Sequence, residues 1–161
     1  MSEGLIKLDR IDRSILAQLQ ENGDLSNTEL AERVGLSPSP CLRRVRLLEE
    51  AGIILRKVTV LDAKKLGLSL TAMVQIGMDR HTPDRFETFE KTVASYPEVQ
   101  SCYLITGQDA DYLLQVIVPD MDGYQSLLLD RITRIPGVTG VHSSFVMRKV
   151  VDRQALPLNY I

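Results

Sequence analysis

The stretch SPSPCLRRVRLLEEAG, Ser37 to Gly52, opens against helix formation and continues in its favour. With Ser37 as N-cap, Pro38 and Pro40 fall at the first and third helical positions. Backbone N–H groups there have no intrahelical acceptor, so their loss costs little. A residue before proline resists helical geometry, which leaves Ser39 as an alternative cap. From there the pattern runs as a helix to about Ala51 and stops at Gly52. At about 100° per residue, Cys41, Val45 and Leu48 lie within about 60° of one another and form an inward stripe. Ser39, Arg43 and Arg46 lie roughly opposite, with Arg44 to one flank and Leu42 and Leu47 at the margins. No carboxylate interrupts the outer row before Glu49 and Glu50.

Upstream, two more short helices are predicted. Asp9 caps the first, which places Ile11, Ile15, Leu16 and Leu19 on one face until Asn22-Gly23. Ser26-x-x-Glu29 is a capping box for the second, with Leu25 and Leu30 as its hydrophobic staple. Leu30, Ala31 and Val34 face inward and Gly35 ends that helix. A short helix, a glycine turn and a second helix with a basic outer face make a helix-turn-helix, whose second helix enters the major groove of duplex DNA. The same face reads otherwise as the solvated side of a helical bundle. Beyond Gly52, IILRKVTVL reads as a short strand or wing. There Arg56 and Lys57 either reach the phosphate backbone or protect a strand edge.

Net charge over the 161 residues is −2, so the chain is no general nucleic-acid coat. From Ser37 to Lys57, however, five cationic residues face two acidic ones, which concentrates the basic character on this segment. No apolar run approaches the roughly 20 residues of a membrane span and no basic-then-apolar leader opens the sequence, so a cytoplasmic location is expected. Cys41 and Cys102 stand far apart without histidines at metal spacing; both read as small core residues, and no metal site or cofactor is indicated.

Past a connector at residues 62–69 the pattern changes. Thr71 to Met78 is strand-like, Asp84 to Tyr96 carries Phe86, Phe89, Val93 and Tyr96 at helical spacing, and a strand follows to Thr106. Asp111 to Val118 is a third strand. Met121, Tyr124, Leu128, Ile132 and Ile135 mark a second helix, and a last strand extends through Val151. The stops at Tyr96-Pro97-Glu98-Val99 and Ile135-Pro136-Gly137-Val138 repeat, which predicts a twofold β-α-β unit: a ferredoxin-like βαββαβ domain with helices on one face of an antiparallel sheet. The fold class is therefore α+β, with a winged helix-turn-helix domain over residues 1–61 and the ferredoxin-like domain over 62–161. The run Leu113, Leu114, Val116, Ile117 and Val118 places apolar side chains on the uncovered face, which predicts a symmetric homodimer.

Taken together, the sequence resembles the Lrp/AsnC (feast/famine) family of prokaryotic transcription regulators. In the first half the likeness rests on Leu8-Asp9-x-x-Asp12, Asn27 to Leu36, Ser37-Pro38-Ser39-Pro40-Cys41 with Arg43-Arg44-Val45, and Leu48-Glu49-x-x-Gly52-Ile53-Ile54. In the second it rests on Thr106-Gly107, Asp111-Tyr112-Leu113-Leu114 and Ser143-Ser144-Phe145. The resemblance implies a sequence-specific DNA-binding regulator whose second domain dimerises, often assembles into octamers, and binds an amino-acid effector near the hairpin joining its second and third strands. The DNA-contacting candidates are Ser37, Ser39, Arg43, Arg44, Arg46, Arg56 and Lys57. The effector candidates are Gly107, Gln108, Asp109, Asp111 and Tyr112. Here the carboxylates could accept from an α-ammonium group and the turn N–H groups could hold a carboxylate. By composition alone that hairpin reads as a plain turn, a reading that the resemblance reverses, and it separates Gly107 from Asp111 by three residues where the family commonly has two.

Other functions have less support. His81 and His142 sit in no nucleophile or paired-carboxylate motif and no glycine-rich phosphate loop is present, so catalysis is not expected. The third strand lacks the aromatic run with which such sheets stack RNA bases. A small-molecule sensor and assembly module without specific DNA binding is the remaining alternative.

Overall fold

The computed structural model describes residues 7–107 and 110–161, which form two compact units. The first unit holds three helices: α1 (Arg10–Glu21), α2 (Asn27–Val34) and α3 (Pro38–Glu50). The predicted capping box at Ser26 forms, and Asp9, read only as an N-cap, proves to open a second one with Asp12. Asp9 accepts from the Asp12 N–H at 2.8 Å while Asp12 accepts from the Asp9 N–H at 3.1 Å. Ser26 and Glu29 exchange the same pair of bonds at α2. These contacts satisfy N–H groups that a helix start leaves unpaired. The core is built from Ile15, Leu16, Leu25, Leu30, Ala31, Cys41, Val45 and Leu48, so the stripe read from α3 is the buried one.

Gly35 closes α2 with φ 71°, and the Leu36 N–H reaches back to the Ala31 carbonyl at 2.9 Å. A β-carbon at Gly35 would meet nothing within 4 Å, so backbone strain alone decides what the position tolerates. Gly35→Ala is expected to cost about 1–2 kcal/mol, and Gly35→Asn less, read as the drop in midpoint temperature of thermal unfolding. Equal midpoints for the alanine variant and the parent would show that the turn relaxes freely.

The predicted wing does not form a ladder: Leu55 to Asp62 carries no hydrogen-bonded secondary structure. A strand needs a neighbour, and every strand among the described residues belongs to the second unit's sheet. Leu55 is left 86% exposed, and Val58, Val60 and Leu61 are exposed with it. The chain's last segment also departs from the reading that assigned it to the second domain, because Val151–Ile161 groups with the helices. The Gln20 side chain pairs with both the N–H (2.6 Å) and the carbonyl (3.2 Å) of Leu156, as a strand neighbour does. Leu158 adds to the helical core, and Arg13 donates to the Ile161 carbonyl at 2.6 Å.

The second unit is β1 (Leu70–Met78), α4 (Pro83–Ala94), β2 (Val99–Leu104), β3 (Tyr112–Val118), α5 (Met121–Ser126) and β4 (Val138–Phe145). Its strands are antiparallel in the order β2-β3-β1-β4, the ferredoxin-like arrangement. Ala72, Val74, Ile76 and Met78 of β1 and Tyr112, Leu114, Val116 and Val118 of β3 face the helices. Leu113 and Ile117 point to the other side with Met73 and Tyr103.

Three expectations are corrected here. The last strand ends at Phe145, not Val151, because β1 supplies no partner beyond Thr71, whose carbonyl accepts the final bond from the Val146 N–H. In the second helix Leu127 is buried, Leu128 is only half-buried against the same core, and Met121 is exposed. A π-turn over Leu127–Arg131 lengthens the spacing so that Tyr124, Leu127 and Ile132 all reach the core. Cys102 is exposed because β2 is an edge strand, whereas Cys41 is fully buried as read.

Candidate nucleic-acid interface

The outer face of α3 gathers Ser39, Leu42, Arg43, Arg46, Leu47 and Glu50 around one shallow depression. Its orientation follows from the opposite face, where Cys41, Val45 and Leu48 are held in the core. Among the described residues Arg43 and Arg46 have no ion-pair or hydrogen-bond partner on their own chain, which leaves both guanidinium forks available to an external acceptor. Such a fork matches guanine O6 and N7, or a phosphate. Ser37 is the N-cap, but its hydroxyl makes no capping bond. The start of α3 is fixed instead from α2, where the Asn27 side chain donates to the Pro38 carbonyl at 2.8 Å.

Arg44 does not join this face. Its Nη1 lies 2.8 Å from Asp9 Oδ2 and 2.7 Å from Asp12 Oδ1, so it braces α3 against the capping box of α1. Rotation of about 100° from Arg43 carries the side chain over α1, where two carboxylates hold it. Arg56 and Lys57 are exposed but lie elsewhere on the unit, beside Leu19, Gln20 and Gln154. The brace was not visible in the sequence, where Asp9 read as the N-cap of α1; only the i,i+3 spacing of Asp9 and Asp12 hinted that two carboxylates share one spot.

Acid should loosen these joints. The Asp12 N–H, and then Arg44, hold the Asp9 carboxyl below its usual value, and the Ser26 hydroxyl and N–H do the same for Glu29. A carboxylate with a lowered folded pKa stabilises above its unfolded value of about 4 and loses that contribution as pH falls through the folded value. Midpoint temperature is therefore expected to fall as pH drops from about 5 to below 4. Asp9→Asn and Glu29→Gln should flatten that part of the profile, and unchanged profiles would contradict the assignment.

The hairpin candidates divide. Gln108 and Asp109 lie outside the described residues. Gly107 is exposed and does not use positive φ, so the turn does not call on its left-handed freedom. Asp111 is engaged within the fold: Oδ2 accepts from the Met78 N–H at 2.7 Å and Oδ1 lies 2.7 Å from His81 Nε2. Tyr112 is buried, with Phe89 4.5 Å and Phe86 5.6 Å away between ring centroids, and its hydroxyl donates to Glu90 at 2.8 Å. Burial, and then Glu90, push its pKa up. Neither side chain is presented as a free effector contact; both tie the hairpin to β1 and α4.

Comparison with known proteins covers both units. A model of the winged helix-turn-helix DNA-binding domain matches residues 8–54, and one of the Lrp/AsnC ligand binding domain matches residues 71–156. The leucine-responsive regulatory proteins of Klebsiella pneumoniae and Escherichia coli K12 are each 48% identical over 149 residues, 92% of this chain and 90% of theirs. A Neisseria meningitidis transcriptional regulator crystallised with L-Met superposes with a TM-score of 0.91 at 43% identity, covering 96% of this chain and 99% of that one. An AsnC family regulator from Agrobacterium tumefaciens gives 0.90 at 39%, with the same coverage. A capped helix-turn-helix followed by a βαββαβ unit, matched along nearly its whole length by such regulators, makes this chain a member of the Lrp/AsnC family of DNA-binding transcription regulators.

Proposed function

We propose that this regulator reads duplex DNA through the outer face of α3, with Arg43 and Arg46 as the principal contacts, Ser37 and Ser39 as hydroxyl donors at the helix start, and Arg44 as a brace. The observation that carries the reading is the pair of unpartnered guanidinium groups on a face free of carboxylates up to the last turn of the helix. Arg56 and Lys57 supply phosphate attraction away from that face, where their contribution depends on salt. The working form is a homodimer, since a twofold pair carries two recognition helices to two half-sites. Exposed Tyr103 with Met73, Leu113 and Ile117 on the uncovered sheet face, and the unpaired apolar stretch from Leu55 to Leu61, support self-association.

The effector is an amino acid bound near the hairpin that includes Gly107 and Asp111. Leucine and methionine are the first to test, because the related regulators are named for leucine and one was crystallised with L-Met. Reciprocal linkage sets the expected size: the effector shifts DNA affinity by about 5–150-fold. A titration of operator binding at fixed salt, with assembly followed by light scattering, checks both. No change in affinity, size or unfolding temperature with any of the common amino acids would overturn the effector assignment.

A further inference from the structure

We propose that Leu42 is a specificity residue that reads the 5-methyl group of a thymine in the major groove, next to the contacts made by Arg43 and Arg46. This rests on the assignment of α3 as the reading helix. An exposed leucine is ordinary on a protein surface, and Leu42 matters because of what it does not do and where it stands. It is 39% exposed, and neither it nor Leu47 packs into the core of the helical unit, to which even half-buried Val34, Leu36, Ile53 and Ile54 contribute. It lines the same depression as Ser39, Arg43 and Arg46, and on the helix it lies three residues from Ser39 and four from Arg46, the spacing of surface neighbours.

Leu47 flanks the opposite side of the row, but the two leucines are not equivalent. Base edges are met by the amino-terminal part of a recognition helix. Leu42 is in that part, whereas Leu47 is in the last turn beside Glu49 and Glu50, which repel phosphates. In the major groove thymine alone offers an apolar methyl, while the guanidinium forks select guanine. A leucine flanking the two arginines therefore fits a half-site in which a thymine is adjacent to a guanine. Contact with one methyl group is expected to be worth about fourfold in affinity.

The test uses the full-length protein and an operator that the parent protein selects from random duplexes. Each thymine of both half-sites is replaced in turn by deoxyuridine, which removes only the methyl. The parent is expected to lose about fourfold per half-site at one thymine position. Leu42→Ala should bind the unmodified operator more weakly by a similar factor and lose nothing further on the deoxyuridine duplex. Leu47→Ala should keep the parent's deoxyuridine response. Alanine and leucine are both strong helix formers and the side chain is outside the core, so unfolding temperature should hold. Selection of an operator in which no thymine responds would overturn the Leu42 assignment and leave DNA reading by α3 intact. So would an undiminished response in Leu42→Ala. Failure of the parent to select any sequence would overturn both.

Discussion

Replacing Arg43 and Arg46 together by alanine is expected to weaken operator binding by about 30-fold or more at fixed salt, with the assembly state and unfolding temperature unchanged. Each residue stands free on the outer face of α3. A bidentate contact to a base is worth about 1–3 kcal/mol, and two contacts on neighbouring turns share a binding surface, so their losses need not add. Arg44→Ala separates the two roles. It removes a brace between α3 and α1, so it should lower unfolding temperature by releasing Asp9 and Asp12, an effect the other two substitutions lack. A gel-shift or anisotropy titration together with a melting curve distinguishes them. Affinity within about twofold of the parent for the double variant would remove α3's outer face from the interface.

Phe89→Ala is expected to have the largest effect on the fold. Phe89 is fully buried on α4 and its ring is 4.5 Å from Tyr112 between centroids, at the centre of the layer between helices and sheet. Truncating a buried phenylalanine costs about 3–5 kcal/mol through lost transfer energy and the cavity left behind. A small domain holds about 5–15 kcal/mol in total, so the second unit of the variant should unfold at a midpoint many degrees lower, or fail to accumulate as a folded protein. Tyr112→Phe tests the polar end of the same cluster. It removes the hydroxyl bond to Glu90 and should cost far less. Similar melting curves for Phe89→Ala and the parent would mean that the core does not depend on this layer.

What the sequence disclosed was local. The N-cap at Asp9 and the capping box at Ser26-x-x-Glu29 involve residues within one turn, so side-chain chemistry alone predicts them. The buried stripe of α3 follows from helical period and three apolar side chains. The β-α-β repeat was legible because proline and glycine punctuate it at Tyr96-Pro97 and Pro136-Gly137. What stayed hidden depends on partners distant in sequence. Strand β3, with six apolar residues of seven, offers no alternation to read, and only packing against α4 and α5 decides that Leu114 is covered while Leu113 is not. The end of β4 is set by where β1 stops, and the side to which Arg44 turns is set by two carboxylates over thirty residues earlier. At the hairpin, Asp111 and Tyr112 drew attention as polar groups in a turn, yet the fold uses both to anchor it.

The assignment of α3 is tested most directly by an experimental structure of the protein bound to its selected operator. The predicted complex places the guanidinium groups of Arg43 and Arg46 about 2.7–3.2 Å from base-edge or phosphate acceptors in the major groove. Arg44 stays on Asp9 and Asp12. A complex in which Arg43 and Arg46 face solvent, while another surface of the helical unit lies on the duplex, would contradict it.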